Sequence, residues 1–263
     1  MMEQTRFYDA LQVKTYASRQ AMGEKAADDA AKVIVSLLQE RGEISMIFAA
    51  APSQNEFLSS LLTHTEIDFT RINAFHMDEY VGLEQDAPQG FGNFLRAAIF
   101  SKAPFKSVQY INGQTDNPEA ECRRYAALLE AAHIDIVCMG IGENAHIAFN
   151  DPGEADFHDP LPVKVVHLDE TCRNQQVHDG CFAALELVPK TAITLTVPTL
   201  MNADYHFCIV PAKSKAQAVR NTLEREISEA YPASILRTAP CSVLYLDADS
   251  STLLAWPETA SES

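Results

Sequence analysis

The sequence predicts an α/β protein with a Rossmann-like, three-layer fold, in which helices cover both faces of a mostly parallel central sheet. Strand-like and helix-like segments alternate along nearly the whole chain of 263 residues. Such alternation is typical of parallel strands joined by crossover helices. The apolar run at 134–139 is interrupted only by Asp135, which indicates a central strand that is buried on both faces.

The remaining elements are predicted from the spacing of their apolar residues. The segment 22–41 carries apolar residues at a 3.6-residue period, which predicts a helix with one buried face. Short apolar runs predict further strands at 44–50, 71–76, 107–111, 191–197, 205–210 and 242–247. Helical patterns predict further helices at 55–64, 91–101, 118–132, 215–225 and 233–236.

The segment from about 151 to 180 is polar, and its three prolines, Pro152, Pro160 and Pro162, prevent one continuous helix. Long irregular segments in compact domains are often lids or binding loops, and a plain surface excursion is the alternative. Because the chain has no internal repeat and no low-complexity linker, we expect a single domain over 1–263. The tail at 258–263 is expected to fray.

Charge and cysteine usage limit the classes of partner. A formal net charge of −16 argues against nucleic acid, which is bound by basic patches. A small anionic substrate is compatible with it, because a helix N-terminus and one or two cations can hold a phosphate. The first thirty residues have no signal-peptide pattern, and no apolar run approaches the roughly 18 residues that span a bilayer. Six cysteines without a Cys-x-x-Cys pair favour reduced thiols in the cytoplasm.

A histidine follows the predicted central strand. His146 lies close in sequence to an amide, Asn144, and to a carboxylate, Asp151, after a turn that contains Gly140 and Gly142. In open α/β sheets, ligands bind at the carboxyl ends of the strands. An imidazole held there by polar groups is a candidate acid–base centre, and the alternative is a turn whose histidine only satisfies backbone groups.

Three other predicted strand ends carry polar side chains. Asp78 and Glu79 are adjacent carboxylates, which can raise one another's pKa as a general base requires, although most such pairs are solvated. Ser53 could hold a phosphate at a helix start, or form a capping box with Glu56. Lys215 could neutralise the same phosphate or be solvated. The four strand ends together suit aldose–ketose chemistry on a sugar phosphate.

Two motifs resemble the glucosamine-6-phosphate deaminase/isomerase family. Residues 77–83, Met-Asp-Glu-Tyr-Val-Gly-Leu, match one family motif residue for residue. Residues 140–152 fit the family pattern Gly-x-Gly-x-x-x-His-Ile-Ala-Phe-Asn-x-Pro. The order and spacing of the predicted strands are also similar, from about residue 7 to residue 247.

The resemblance implies opening of an amino-sugar 6-phosphate ring, proton transfer between C2 and C1 through an enolamine-like intermediate, and replacement of the amine by water. Glucosamine 6-phosphate would give fructose 6-phosphate and ammonia. Ring opening would fall to His146, held by Asn144 and Asp151, and proton transfer to Asp78.

The resemblance also assigns binding positions. Phosphate binding falls to Ser53, Gln54 and Lys215, and further substrate contact to Glu79 and Gly142. It implies no metal and no organic cofactor, a mobile lid at 151–180, and neither a nucleic acid nor a membrane as partner. A homo-oligomer is possible.

The chain departs from the family at several positions. Asn144 stands where the family usually has Asp and supplies no charge, and Asp151 replaces a longer Glu and is expected to reach less far toward the imidazole. Ala51 and Pro52 replace a glycine pair in the phosphate loop, and proline has no N–H to donate. The lid arginine expected at the phosphate has no clear match, since Arg173 is offset by several residues.

These departures leave three functions open. The first is a deaminase acting on glucosamine 6-phosphate or on an epimer such as galactosamine 6-phosphate. The second is a 6-phosphogluconolactonase, whose pattern has Arg where this chain has Tyr80 and Thr-Ala-Ser-Leu where it has residues 147–150. The third is a sensor that binds a sugar phosphate without turnover. Because His146 and Asp78 are present, the sequence favours the deaminase.

Overall fold

The computed structural model describes residues 3–168, 170–178 and 180–255. Its strands are β1 (Gln4–Tyr8), β2 (Leu11–Thr15), β3 (Ile44–Phe48), β4 (Ile72–His76), β5 (Asp78–Tyr80), β6 (Ser107–Gln109), β7 (Ile136–Met139), β8 (Val163–His167), β9 (Thr191–Leu195), β10 (Tyr205–Val210) and β11 (Ser242–Leu246). Its α-helices are α1 (Arg19–Glu40), α2 (Asn55–Leu61), α3 (Phe91–Leu95), α4 (Pro118–Glu130), α5 (Glu170–His178), α6 (Val197–Met201) and α7 (Ala216–Glu224). The predicted frayed tail at 258–263 lies outside the described residues.

Within those residues, eight strands form a central sheet in the order β1-β2-β11-β10-β7-β3-β4-β6. All pairings from β2 to β6 are parallel, and β1 pairs antiparallel with β2. The predicted mostly parallel sheet is therefore confirmed. The N-terminal hairpin of β1 and β2 was not predicted from the sequence.

The core lies on both faces of the central sheet, because successive strand residues point in opposite directions. Phe48 and Cys138 belong to one buried cluster, which contains the apolar faces of α1 and α2. Ile47 and Val137 belong to a second cluster, which contains those of α4 and α7. Helices thus cover both faces, as the three-layer prediction requires.

A smaller antiparallel sheet has the order β5-β9-β8. The strand predicted at 191–197 is β9, so its expected place in the parallel sheet was wrong. A strand's local sequence does not say which sheet supplies its partners, and β9 is buried like the central strands.

The segment 151–180 is more regular than its composition suggests. It contains the edge strand β8 and the helix α5, while Pro152, Pro160 and Pro162 all precede β8. The helix buries its Cys172, Arg173, Gln175 and Gln176 side chains. No helix among the described residues is long and apolar enough to cross a membrane.

Candidate active site

The carboxyl ends of four adjacent strands, β10, β7, β3 and β4, open onto one cavity of about 130 Å³. Ser53 follows β3, Asp78 follows β4, His146 follows β7 and Lys215 follows β10, and all four line the cavity. Parallel strands place their carboxyl ends on the same edge of a sheet. The structure therefore brings together the four strand ends that the sequence singled out.

His146 is buried and held through one ring nitrogen. Its Nδ1 lies 2.7 Å from Asn144 Oδ1 and 2.9 Å from Asp151 Oδ1. Because both partners are acceptor oxygens, Nδ1 must carry the proton. Nε2 is then the nitrogen that can exchange a proton. Asn144 Nδ2 also donates to Asp151 Oδ1 at 2.8 Å. Both side chains therefore lie on the Nδ1 side of the imidazole.

The expectation that Asp151 reaches less far toward the imidazole was wrong, since its carboxylate contacts His146 directly. Burial works against the charge of Asp151. The effect of burial is smaller than the combined effect of the nearby imidazole and of hydrogen bonds from His146, Asn144 and Cys172. The pKa of Asp151 therefore lies below its ordinary value. Asp151 supplies the negative charge that Asn144 does not.

Gly142 lies against the imidazole ring. A Cβ on Gly142 would come within 2.1 to 2.3 Å of three ring atoms of His146, and its N–H donates to the His146 carbonyl at 2.9 Å. Only glycine allows this approach of backbone to ring. Gly142 lines the cavity and fixes the position of the histidine.

Asp78 begins β5 and is buried at the cavity wall. Burial, and then the neighbouring Glu79, raise the pKa of Asp78 well above its ordinary value. A carboxylate that holds a proton more tightly than usual is a stronger base, which suits proton abstraction near neutral pH.

Glu79 does not reach this cavity and lines a neighbouring one. Its carboxylate accepts hydrogen bonds from the backbone N–H groups of Tyr80, Phe91 and Gly92 at 2.8 to 3.0 Å. It therefore fixes the start of α3 relative to β5. Burial raises the pKa of Glu79, and these N–H donors act in the opposite direction.

The turn after β3 forms another part of the cavity wall. Ser53 lies in a single helical turn at Pro52–Gln54 and caps neither this turn nor α2, so the capping-box alternative was wrong. Gln54 is buried beneath the turn, and its Nε2 donates to Ser53 Oγ at 3.0 Å and to the strand-end carbonyl of Ile209 at 3.2 Å. Gln54 therefore supports the turn rather than lining the cavity.

The structure adds residues that the sequence did not indicate. The cavity is also lined by Arg19 at the start of α1, by Gln175 and Gln176 of α5, and by Cys181. The glutamines come from the predicted lid, but their local sequence carries no signal for a site. Nothing in the sequence around Arg19 relates it to Ser53 or Lys215.

Arg173 is not part of the cavity. Its guanidinium donates to the backbone carbonyls of Leu185 and Val188 at 2.6 to 3.2 Å. It therefore stabilises the chain between α5 and β9, and the lid arginine has no counterpart at this position.

One group of potential metal ligands lies beside the cavity. Ligand atoms of His146, Asp151 and Cys172 are within 4.8 Å of one another. All three are already joined through Asp151, which accepts hydrogen bonds from His146 and Cys172. Their arrangement serves to orient the imidazole.

Residues 17–244 match the family model described as glucosamine-6-phosphate isomerases/6-phosphogluconolactonase. The chain belongs to this family. A glucosamine-6-phosphate deaminase of Listeria innocua is 33% identical over 244 residues, which cover 93% of this chain and 100% of the relative. One from Streptococcus pneumoniae is 31% identical over 229 residues, which cover 85% and 94%.

Solved structures agree with this assignment. A monomeric glucosamine-6-phosphate deaminase superposes with a TM-score of 0.82 at 30% identity, covering 92% of this chain and 99% of that one. A 6-phosphogluconolactonase of Trypanosoma brucei superposes with a TM-score of 0.76 at 16% identity, covering 96% and 100%. The second likeness shows the fold alone.

Proposed function

We propose that the protein is an amino-sugar 6-phosphate deaminase/isomerase that converts glucosamine 6-phosphate, or an epimer of it, to a ketohexose 6-phosphate and ammonia. One observation carries the proposal: a buried carboxylate with a raised pKa, Asp78, faces the same cavity as a histidine oriented by Asp151. The relatives named as deaminases support it at 31 to 33% identity.

Ring opening is assigned to His146. Its Nε2 takes the proton of the anomeric hydroxyl and returns it to the ring oxygen, which gives the open-chain aldehyde. During this exchange the imidazole is transiently charged, and Asp151 at 2.9 Å stabilises that form. Asn144 keeps the ring in the tautomer that leaves Nε2 free for the exchange.

Proton transfer along the sugar is assigned to Asp78. The carboxylate removes the proton from C2 while O1 gains a proton, which gives an enolamine. It then delivers the proton to C1 while the amine nitrogen loses one, which leaves a C=N bond at C2. Water then adds to C2 and ammonia leaves, so that the ketose forms. The net reaction consumes one water and needs no oxidant or reductant.

Phosphate binding is assigned to the turn at Pro52–Gln54 together with Lys215, since Pro52, Ser53 and Lys215 line the same cavity as Asp78. The segment 151–180 is assigned the role of a lid, because Gln175 and Gln176 of its helix α5 line the cavity. A single domain, a cytoplasmic location and a homo-oligomer stay predictions.

The experiment is ammonia release from glucosamine 6-phosphate and from galactosamine 6-phosphate, with Asp78→Asn and His146→Gln alongside. We expect release from one of the two sugars and its loss in both variants. Hydrolysis of 6-phosphogluconolactone, measured in parallel, would instead support the lactonase. Binding of a sugar phosphate without any product would support a sensor.

A further inference from the structure

Arg19 is a cation in the cavity that neither motif includes. It is the first residue of α1, after the N-cap Ser18, and it lines the cavity beside Pro52 and Ser53. Its side chain is 36% exposed and lines the cavity, so Arg19 is accessible to a ligand in the cavity. Arg19 and Lys215 are the basic side chains that line this cavity in the described chain, apart from His146.

Two contacts hold the guanidinium against the turn after β3. Arg19 Nε donates to Glu56 Oε1 at 2.7 Å, and Nη2 donates to the carbonyl of Pro52. Nη1 makes no hydrogen bond to any residue within 3–168, 170–178 or 180–255. Arginine has five N–H donors in a planar fork, so the edge that contains Nη1 is available to an anion.

Close packing of two helices brings Arg19 to this place. Gly23 lies one helical turn after Arg19, on the same face of α1. A Cβ on Gly23 would be 2.5 Å from Glu56 Cβ and 2.9 Å from the Phe57 nitrogen. A glycine inside a helix is less favourable than alanine, and here it lets α1 lie directly against the start of α2.

The proposed phosphate site lacks donors that the family pattern supplies. Pro52 has no N–H to give to an anion. Arg173, the nearest lid arginine, uses its guanidinium on the carbonyls of Leu185 and Val188. Arg19 can replace what is missing, because a guanidinium binds phosphate through two parallel N–H groups.

We propose that Arg19 is a phosphate-binding residue of this cavity, whose Nη1 edge binds the 6-phosphate together with Ser53 and Lys215. The inference rests on the proposed function for the identity of the substrate. Glu56 positions Arg19 through Nε and offsets part of its positive charge.

The test measures phosphate binding separately from turnover. Inorganic phosphate is titrated calorimetrically into the wild type, Arg19→Met and Glu56→Gln, and KM and kcat are measured with glucosamine 6-phosphate. We expect Arg19→Met to weaken phosphate binding and raise KM about 10- to 100-fold, the effect of losing hydrogen bonds to a charged group, with kcat within a few-fold of the wild type. Glu56→Gln keeps the acceptor and removes the counter-charge, so phosphate should bind as tightly as before or more tightly.

The control is Arg220→Met, which removes an exposed arginine paired with Glu224 on α7, outside the cavity. It should leave phosphate affinity unchanged. If Arg19→Met does not fold, Arg19→Lys keeps one charge without the fork and should show an intermediate loss. Equal phosphate affinity in the wild type and in the Arg19 variant overturns the inference. Phosphate binding that depends on Arg19 without any ammonia release supports the inference and refutes the deaminase.

Discussion

At the scale of single residues, the structure explains how the histidine site tolerates its departures from the family pattern. The charge that an aspartate at position 144 would supply comes instead from Asp151, which contacts His146 Nδ1. Asn144 contributes geometry, since it accepts from the imidazole and donates to Asp151. Cys172 donates a further hydrogen bond to the same carboxylate. Asn144 therefore supplies orientation, and Asp151 supplies the charge.

Replacing Asp151 with Asn tests this division. The variant removes the carboxylate that stabilises the imidazolium while keeping the size of the side chain. We expect kcat for ammonia release to fall by about 10²- to 10⁴-fold, the contribution of a positioned general acid–base group. The control is Asp156→Asn, an exposed aspartate in the same segment. Full activity in Asp151→Asn would show that Asn144 alone holds the histidine.

Asp78→Asn separates catalysis from stability. The variant should lose about 10²- to 10⁴-fold in activity, as expected for removal of a general base. The pKa of Asp78 is raised in the folded protein, so its ionisation opposes folding. The wild type is therefore destabilised relative to the variant as pH rises from the ordinary carboxyl range through the raised pKa of Asp78.

The measurement is urea unfolding of both proteins from pH 4 to pH 8. The stability of Asp78→Asn relative to the wild type should grow with pH over that window and then level off. A difference that does not change with pH would contradict the raised pKa of Asp78.

At the scale of elements, the sequence predicted the strands with long apolar runs and missed those defined by their partners. β10 was predicted with its observed bounds, and β3, β4, β7 and β11 within two residues. The strands β1, β5 and β8 are short and lie at sheet edges, and they were missed. The strand β9 was assigned to the wrong sheet. Such strands form because they pair with segments that are distant in the sequence. Their local residue pattern carries no information about that pairing.

The helix α5, part of the proposed lid, contacts residues around the turn that carries His146. Gln175 Oε1 accepts from the Glu143 N–H at 2.8 Å, and Cys172 donates to Asp151. Both contacts join α5 to residues that flank His146, so docking of the helix and positioning of the histidine are coupled. A lid without such contacts would close the cavity without affecting the imidazole.

Gln175→Ala tests this docking. Loss of one neutral hydrogen bond costs about 0.5–1.5 kcal/mol, so we expect unfolding stability to fall by up to that amount. Because α5 then docks less firmly, KM for glucosamine 6-phosphate should rise by up to about 10-fold. The control is Asn174→Ala, the neighbouring position on α5, which does not line the cavity. An equal KM in Gln175→Ala and the wild type would show that α5 does not take part in substrate binding.

At the scale of the whole molecule, the sequence located the proposed catalytic groups and only part of the proposed phosphate site. His146, Asp78, Ser53 and Lys215 could be predicted because each follows a recognisable strand and parallel strands end on one edge. Arg19 and Gln175 could not, since they reach the cavity through packing of α1 and α5. Gln54 and Glu79 were predicted as binding residues, yet their side chains hold the surrounding backbone.

The net charge of the chain opposes its proposed substrate. A formal charge of −16 repels a sugar phosphate at long range, whereas Arg19 and Lys215 attract it inside the cavity. Salt screens the long-range repulsion between exposed charges more than the contacts of partly buried groups, and the Debye length falls from about 30 Å at 0.01 M to about 10 Å at 0.1 M. We therefore expect kcat/KM for glucosamine 6-phosphate to rise a few-fold as potassium chloride increases from about 10 to about 100 mM.

Sulfate at equal ionic strength is the comparison, because it should also compete at the phosphate site and cancel the rise. A steady fall of kcat/KM with chloride would mean that the local cations, and not the net charge, govern approach of the substrate.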